Sequence, residues 1–274
     1  MPEMHLNKIV IVTGAGNGIG RATAIRFAQE GYHLVLVDIN QQALALVAST
    51  IASSYGVEQL ILAGDLAEPS FLSRVVDAAI EKFGRIDVLV NNAAWRTIGT
   101  MRNMEHETWE KTIRVCLTAP AFLAKHAAAA MEQTNLPGVI VNISSMMSDR
   151  PAGTSPAYIA SKGAIEALTR ELAVTYGRSG IRVLTVKPGF IDTELSKDYT
   201  TTAGESIADQ LGNYLNEATP LKSPGAPEDI ANGIYWLTTD QASFMTGTAI
   251  TIDGGFTTSM NSYQLKKAQF PKEF

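Results

Sequence analysis

Short apolar segments rich in β-branched residues alternate with amphipathic segments along almost the whole chain. The first, KIVIVT at 8–13, is apolar without polar alternation, which is typical of a strand buried on both faces of a parallel sheet. Similar segments predict six further strands, at 33–38, 57–62, 86–90, 139–143, 181–186 and 249–252. The segments between them predict helices from the glycines near 20 to about 30, and at 41–54, 70–83, 108–132, 156–178, 205–216 and 227–237.

This alternation of strand and helix predicts the fold class. Right-handed crossovers between successive strands give an α/β fold, a single doubly wound parallel sheet of the Rossmann-like type with helices on both faces. In such a sheet ligands bind at the carboxyl ends of the strands. We predict one domain over 1–255, with an irregular loop at 190–226. The tail 256–274 is expected to pack on a neighbouring subunit or to be disordered.

Composition narrows the class of partner. The chain of 274 residues is 46% hydrophobic and 18% charged with a formal charge of −5, which argues against nucleic acid or an anionic membrane as partner. Cys116 is the only cysteine, so no intrachain disulfide forms, as in a reducing cytoplasm. Met1 to His5 lack the basic start of a signal peptide, and no apolar run approaches a membrane span. We therefore expect a cytoplasmic protein.

A glycine-rich segment directly follows the first predicted strand. Glycines permit a tight turn there, and the N-terminus of the next helix offers free N–H groups to a pyrophosphate. The spacing is not G-x-G-x-x-G from Gly14, because position 19 is Ile19; it fits T-G-x-x-x-G-x-G from Thr13 to Gly20. The alternative is a glycine-rich turn without a ligand.

Asp38 ends the second predicted strand, 24 positions after Gly14. A carboxylate at this place can accept hydrogen bonds from both hydroxyls of an adenosine ribose, and it repels a 2′-phosphate. No basic residue stands at 39–41, and none interrupts the glycine loop. Both features favour NAD over NADP. The alternative is that Asp38 is only the N-cap of the next helix.

Tyr158 and Lys162 are four positions apart in a predicted helix, so they lie on the same face. A phenol has an ordinary pKa of about 10, and a nearby ammonium lowers it. One ammonium rarely lowers the pKa of a phenol to about 7, so a second positive charge is needed. An oxidised nicotinamide ring would supply it. The same spacing recurs at Tyr263 and Lys267 in the polar tail, where we interpret it as chance. The alternative for Tyr158 is a surface tyrosine.

The glycine spacing and the Tyr-x-x-x-Lys pair together resemble the short-chain dehydrogenase/reductase family, over nearly the whole chain from Lys8 to Gly255. Ser145 precedes Tyr158 by thirteen residues, as the catalytic serine of that family usually does. Other segments resemble the family in order and spacing: Asp65-Leu66, Asn91-Asn92-Ala93, Ile140 to Ser145, Pro188-Gly189 with Thr193, Thr246-Gly247 and Asp253-Gly254-Gly255.

The resemblance implies an NAD-dependent oxidoreductase that interconverts a secondary alcohol and a ketone by hydride transfer. Tyr158 would be the general acid or base, Ser145 would hydrogen-bond the substrate oxygen, and Lys162 would lower the Tyr158 pKa and hold the nicotinamide ribose. It further implies a homotetramer, and we predict no metal site. The implied cofactor contacts, besides Tyr158 and Lys162, are Gly14, Asn17, Gly18, Ile19, Gly20, Asp38, Ile39, Asp65, Leu66, Asn91, Ala93, Pro188, Gly189, Ile191 and Thr193.

Simpler interpretations remain for several of these residues. Ser145 and the preceding Ser144 could only cap the exit from the strand, Asp65 could be a turn residue, and Pro188-Gly189 could be only a turn. The chain also departs from the family twice, with Ala94 in place of a usual glycine and Cys116 in place of a usual asparagine.

That asparagine shapes the long helix and supports a water beside the lysine. We interpret Cys116 as a small buried residue rather than as a nucleophile. In the family, that water completes a proton relay to the lysine, and Cys116 puts this relay in doubt. The alternative function is therefore a regulatory relative that holds NAD without turnover.

The substrate is the least determined feature. Polyols, sugars, hydroxyacyl groups and steroid-like alcohols all fit the resemblance. The expected substrate loops lie around Trp95, at 146–150 and at 190–226. Arg96 or Arg150 could meet an anionic substrate, whereas the alternative is that both are solvated surface residues.

Overall fold

The computed structural model describes residues 8–201 and 203–274. The expectation about Met1 to His5 therefore lies outside the described residues. Within them, seven parallel strands form one sheet in the order β3-β2-β1-β4-β5-β6-β7. The strands are β1 (Ile9–Thr13), β2 (His33–Asp38), β3 (Gln59–Ala63), β4 (Val88–Asn91), β5 (Gly138–Ile143), β6 (Ile181–Pro188) and β7 (Ala249–Ile252).

Helices cover both faces of this sheet, so the predicted fold class is confirmed. The helices are α1 (Gly18–Gln29), α2 (Gln41–Tyr55), α3 (Pro69–Phe83), α4 (His106–Ile113), α5 (Ala119–Thr134), α6 (Pro156–Tyr176), α7 (Ala208–Ala218), α8 (Pro227–Thr238) and α9 (Tyr263–Gln269). In the part of the chain that the structure describes, none of them is both long and apolar enough to cross a membrane.

The unbroken apolar runs of the strands follow from burial on two sides. In β1, Val10 and Val12 join one core cluster, which α1, α2 and α8 cover. Ile9 and Ile11 join the other, which α3, α5 and α6 cover. The strand order reverses between β1 and β4, and the chain leaves these two neighbours toward opposite sides of the sheet. A cleft therefore opens at their carboxyl ends.

The predicted helix 108–132 is divided in two. A π-helical turn, Arg114–Thr118, separates α4 from α5. Pro120 lies just beyond this turn and has no N–H to donate to the carbonyl of Cys116, the residue four positions earlier. Most other predicted boundaries differ from the observed ones by one to three residues.

The loop 190–226 contains the predicted helix, observed as α7, and a short 3₁₀ turn, Glu194–Lys197, that the sequence did not predict. A bridge between Ile191 and Gly225 closes its base. The tail is also structured: it forms α9, and the Arg150 guanidinium donates to the carbonyl of Phe256 at 2.8 Å.

Candidate active site

The glycine loop is held against the end of β4 by hydrogen bonds. The Asn92 amide donates to the carbonyls of Thr13 at 2.9 Å and Gly14 at 3.2 Å. The Thr13 hydroxyl accepts the main-chain N–H of Asn92 at 3.0 Å. A Cβ at Gly20 would lie 1.9 Å from the Gly14 carbonyl oxygen, so the turn needs glycine there. This packing holds the start of α1 close to the end of β4.

Asp38 is held beside the glycine loop. Its carboxylate accepts the main-chain N–H groups of Gly16 and Asn40, each at 2.9 Å. The N-cap of α2 is Asn40, whose side chain accepts from Ala43 at 3.1 Å, so the interpretation of Asp38 as the N-cap is wrong. Asp38 instead lines a cavity of about 300 Å³, together with the predicted contacts Gly14, Ile39, Asp65, Leu66 and Ala93.

Ser145, Tyr158 and Lys162 line a second cavity, of about 150 Å³, near the carboxyl ends of β5 and β6. The Lys162 ammonium lies 5.3 Å from the centre of the Tyr158 ring, as expected one helical turn away. The alternative interpretation of Tyr158 as a surface tyrosine is wrong, because the residue is 8% exposed. Further predicted residues on this wall are Ile19, Pro188, Gly189, Ile191 and Thr193.

The two serines after β5 make different contacts. Ser144 Oγ lies 2.9 Å from the Lys162 carbonyl oxygen and 2.8 Å from Glu166 Oε1, which ties the end of β5 to α6. Ser145 Oγ accepts the N–H of Met147 at 3.1 Å, so it does cap the short turn that follows. That bond uses an acceptor site, and the Ser145 O–H remains a donor on the cavity wall.

Burial dominates the charge states of the buried pair. It raises the pKa of the Tyr158 phenol above its ordinary range, and the Cys116 thiol adds to the rise, whereas Arg96 and a hydrogen bond with Ser145 oppose it. Burial also lowers the pKa of Lys162, whose ammonium donates to the Ile143 carbonyl at 2.6 Å. In the protein alone, the Tyr158 pKa is therefore raised rather than lowered as the Lys162 spacing predicts.

Asn91 and Asn92 point to opposite sides. The Asn91 side chain is 3% exposed, and its amide donates to Asn142 Oδ1 at 2.9 Å inside the sheet. Any cofactor contact of Asn91 would therefore use its main chain. Asn92 lies on the cavity wall, and sequence reasoning missed it. Alternation along β4 is the signal that separates two such neighbours.

Cys116 is a buried residue that contacts the main chain of Trp95. Its sulfur lies 3.4 Å from both the nitrogen and the oxygen of Trp95. With 1% exposure, it belongs to an apolar cluster with Tyr158 and Phe256. This environment agrees with the interpretation as a small buried residue. It also shows that Phe256, the first residue of the tail, packs beside the site.

Arg96 and Arg150 have different surroundings. The Arg96 side chain is 5% exposed and lines the cavity of Tyr158, so its interpretation as solvated surface is wrong. Arg150 holds the tail and lies outside that cavity. Sequence reasoning also missed individual wall residues from the loop 190–226, namely Phe190, Leu195, Ser196, Tyr199 and Leu215.

Four of the predicted cofactor contacts line neither cavity: Asn91, whose side chain lies inside the sheet, and three residues of the glycine loop. Asn17 is exposed ahead of α1, and its side chain caps nothing. Gly18 has a φ of +51°, and Gly20 is packed under Gly14. The predicted roles of Gly18 and Gly20 depend on the shape that these glycines give the loop.

Comparison with known proteins identifies the family. Residues 14–257 match a family model described as enoyl-(acyl carrier protein) reductase. A short-chain dehydrogenase/reductase of Aspergillus oryzae is 36% identical over 90% of this chain and 94% of its own. Glucose 1-dehydrogenase 2 of Bacillus subtilis is 34% identical over 91% and 95%. L-sorbose reductase of Gluconobacter frateurii, solved with NADPH and L-sorbose, is 28% identical with a TM-score of 0.87 over 95% and 100%.

The chain therefore belongs to the short-chain dehydrogenase/reductase family. It is an oxidoreductase that acts on CH–OH groups and interconverts an alcohol and a ketone with a nicotinamide cofactor.

Proposed function

We propose that the chain is an NAD-dependent dehydrogenase/reductase whose catalytic residues are Ser145, Tyr158 and Lys162. The observation that carries the proposal is that these three side chains line one small cavity at the carboxyl ends of the strands. A bound nicotinamide supplies or accepts the hydride. In ketone reduction Tyr158 gives its proton to the ketone oxygen, Ser145 donates a hydrogen bond to that oxygen, and Lys162 contributes positive charge.

The preference for NAD rests on Asp38. Its carboxylate lies on the wall of the larger cavity and is fixed by two main-chain N–H groups. A fixed carboxylate suits two ribose hydroxyls and opposes a 2′-phosphate. The related sorbose reductase was solved with NADPH, so the preference needs its own test.

The cofactor test compares NADH and NADPH in ketone reduction. We expect the wild type to favour NADH by at least ~10-fold in kcat/KM, or about 1.4 kcal/mol. Asp38→Ala should weaken NADH binding and lower the ratio of kcat/KM with NADH to kcat/KM with NADPH. Asp77→Ala, which removes an exposed carboxylate from α3, should leave the ratio unchanged. Equal efficiency of the wild type with both cofactors would contradict the assignment.

The substrate is proposed to be a secondary alcohol or the matching ketone of polyol, sugar, hydroxyacyl or steroid-like type. Relatives named for sugars and for butanediol favour small hydroxylated substrates. We further propose a cytoplasmic homotetramer, on the family resemblance. The alternative is an NAD-holding regulatory relative, for which the asparagine-to-cysteine change at Cys116 is the favouring feature.

A ketone panel separates the enzyme from the regulatory alternative. NADH fluorescence first measures cofactor binding, and its oxidation is then followed with each ketone. Turnover that disappears in Tyr158→Phe supports the enzyme. NADH binding without turnover of any ketone in a panel covering all four classes would support the alternative.

A further inference from the structure

Arg96 is a buried cation beside the reacting side chains. It follows β4 and lines the cavity of Ser145 and Tyr158 with 5% of its side chain exposed. We propose that Arg96 binds the carboxylate of the substrate, and that the substrate is a hydroxy acid or the matching oxo acid. This inference rests on the proposed function of the cavity, because Ser145 and Tyr158 would hold the oxygen that reacts.

The partners of Arg96 are mostly neutral. Its Nη1 donates to the Tyr199 hydroxyl at 3.0 Å, and its Nη2 donates to the Leu195 carbonyl at 2.5 Å. The carboxylate of Asp198 lies 3.9 Å away and is 53% exposed, so this ion pair is loose. Nε is buried and has no hydrogen-bond partner. A buried guanidinium is stabilised by a close anion with several hydrogen bonds, and this one lacks such an anion.

The charge of the cavity wall points the same way. Among the described residues that line it, Arg96 and Lys162 are the charged ones, and no carboxylate is among them. The Lys162 ammonium lies beside the Tyr158 ring and donates to the Ile143 carbonyl, and the proposed function assigns it to the phenol and the cofactor. Arg96, whose Nε has no hydrogen-bond partner, is therefore the cation available to the substrate. Most of the remaining wall around the substrate end is apolar, which suits a short carbon chain: Met146, Met147, Phe190, Leu195 and Leu215.

The main chain around Arg96 is fixed. The Cys116 thiol contacts the nitrogen and the oxygen of Trp95, the residue before it. Further along, the N–H of Gly99 donates to the Thr154 carbonyl at 2.8 Å. A guanidinium on such a segment can present its planar donors in a constant direction, which favours a planar carboxylate.

A purely structural role is the competing explanation. Arg96 lies 5.0 Å from the centre of the Tyr199 ring, and it could simply hold the segment 195–199 in place. A structural role would affect all ketones alike. Carboxylate binding would affect only acids, and chiefly through KM, because the carboxylate keeps its charge while the hydride adds to the carbonyl carbon and the proton of Tyr158 adds to its oxygen.

The test uses 2-, 3- and 4-oxo acids of four to six carbons, each paired with its methyl ester, and corresponding phosphate esters as a third arm. Reduction by the wild type, Arg96→Gln, Arg96→Lys and Arg102→Gln is measured with NADH below pH 7. Arg102 is exposed on the same stretch of chain, so its variant removes an equal charge outside the cavity. Burial raises the pKa of the Tyr158 phenol, so a pH below 7 favours the protonated form that ketone reduction needs.

We expect the wild type to reduce at least one oxo acid better than its ester. Arg96→Gln should lower kcat/KM for that acid by at least ~30-fold, mainly through KM, and for the ester by less than ~3-fold. Arg96→Lys should recover part of the loss, and Arg102→Gln should match the wild type.

Three outcomes would overturn the inference: esters reduced as well as acids, a phosphate ester preferred over every acid, or equal losses for acid and ester in Arg96→Gln. In each of these the proposed function still stands, because ketones are reduced. If NADH binds and no compound of this test is reduced, the inference fails. The proposed function fails with it only if the ketone panel covering all four substrate classes is not reduced either. Thermal unfolding of each variant with NADH separates a folding defect from a binding defect. If Arg96→Gln does not fold, the comparison of acid with ester is made with Arg96→Lys instead.

Discussion

The protonation state of Tyr158 sets the direction of the pH dependence. Burial raises the pKa of this phenol, so the protonated form is favoured in the protein alone. A bound oxidised nicotinamide ring would add positive charge and lower that pKa. Alcohol oxidation needs the phenolate as base, and ketone reduction needs the phenol as acid. We therefore expect kcat/KM for alcohol oxidation to rise with pH up to the kinetic pKa, and kcat/KM for ketone reduction to fall above it. Profiles with the same slope in both directions would exclude Tyr158 as the titrating group.

Replacement of Tyr158 by Phe tests the same residue at constant pH. The phenol transfers the proton and does little to hold the dinucleotide, so turnover should fall by about 10²–10⁴-fold while NADH affinity stays within a few-fold. Steady-state kinetics and NADH fluorescence measure the two effects. Tyr214→Phe, at an exposed tyrosine of α7, is the matched control. A variant that keeps more than about a tenth of kcat would assign the acid–base role elsewhere.

Cys116 gives a contrasting prediction. Its thiol makes two 3.4 Å contacts to the main chain of Trp95, and its own carbonyl lies in the π-helical turn before Pro120. Because any residue supplies that carbonyl, Cys116→Ala should cost less than ~10-fold in kcat, well below the effect at Tyr158. A loss as deep as that of Tyr158→Phe, with fold and NADH affinity intact, would give the thiol a chemical role.

At the scale of single residues, the spacing of two residues along the sequence predicted their contact where both lie on the same helix. Tyr158 and Lys162 share a face of α6, so their juxtaposition could be predicted from the sequence. The burial of Arg96 could not, because it depends on Tyr199 and Leu195, about a hundred positions further along the chain. The raised pKa of Tyr158 likewise depends on packing that no spacing encodes.

At the scale of elements, the turn between β1 and α1 offers a sharp test. A Cβ at Gly20 would lie 1.9 Å from the Gly14 carbonyl oxygen and 2.5 Å from the Asn92 amide nitrogen. Gly20→Ala should therefore displace the loop and weaken NADH binding by at least ~10-fold, measured by fluorescence titration. The strain should also lower the thermal unfolding midpoint.

Gly163→Ala is the matched control for that change. Gly163 lies inside α6, and a Cβ there would meet no atom within 4 Å. Alanine favours a helix over glycine by about 1 kcal/mol, so this variant should be slightly more stable and bind NADH normally. NADH affinity that is unchanged in Gly20→Ala would mean that the loop does not shape the cofactor site.

The bounds of strands and helices could be predicted well where the local sequence pattern determines them, and less well where packing against another element determines them. The strands β1 and β2 were predicted almost residue for residue, because burial on both faces leaves an uninterrupted apolar run. The interruption between α4 and α5 was missed, although Pro120 within a helical pattern is its local signal. The helix α7 was displaced by a few residues, since it has no fully buried face to fix the pattern.

At the scale of the whole molecule, the outer helices carry exposed apolar side chains. Phe122 on α5 is 46% exposed and Val174 on α6 is 82% exposed, and both helices cover the same face of the sheet. Single exposed apolar residues are ordinary on protein surfaces. Together with the family resemblance, however, they favour a homotetramer in which these helices contact other copies of the chain.

The homotetramer is tested by mutation of that face. Sedimentation velocity of the wild type should give a species of four chains. Val174→Glu places a carboxylate in the expected apolar contact, and burial of an unpaired charge costs several kcal/mol, so dissociation should shift by at least ~100-fold in concentration. Leu46→Glu makes a comparable change on α2, where the side chain is 67% exposed on the opposite face, and should leave the assembly intact. A monomeric wild type would contradict the assembly itself. A tetramer that survives Val174→Glu would place its interfaces on other surfaces, such as that of the fully exposed Phe244 after α8.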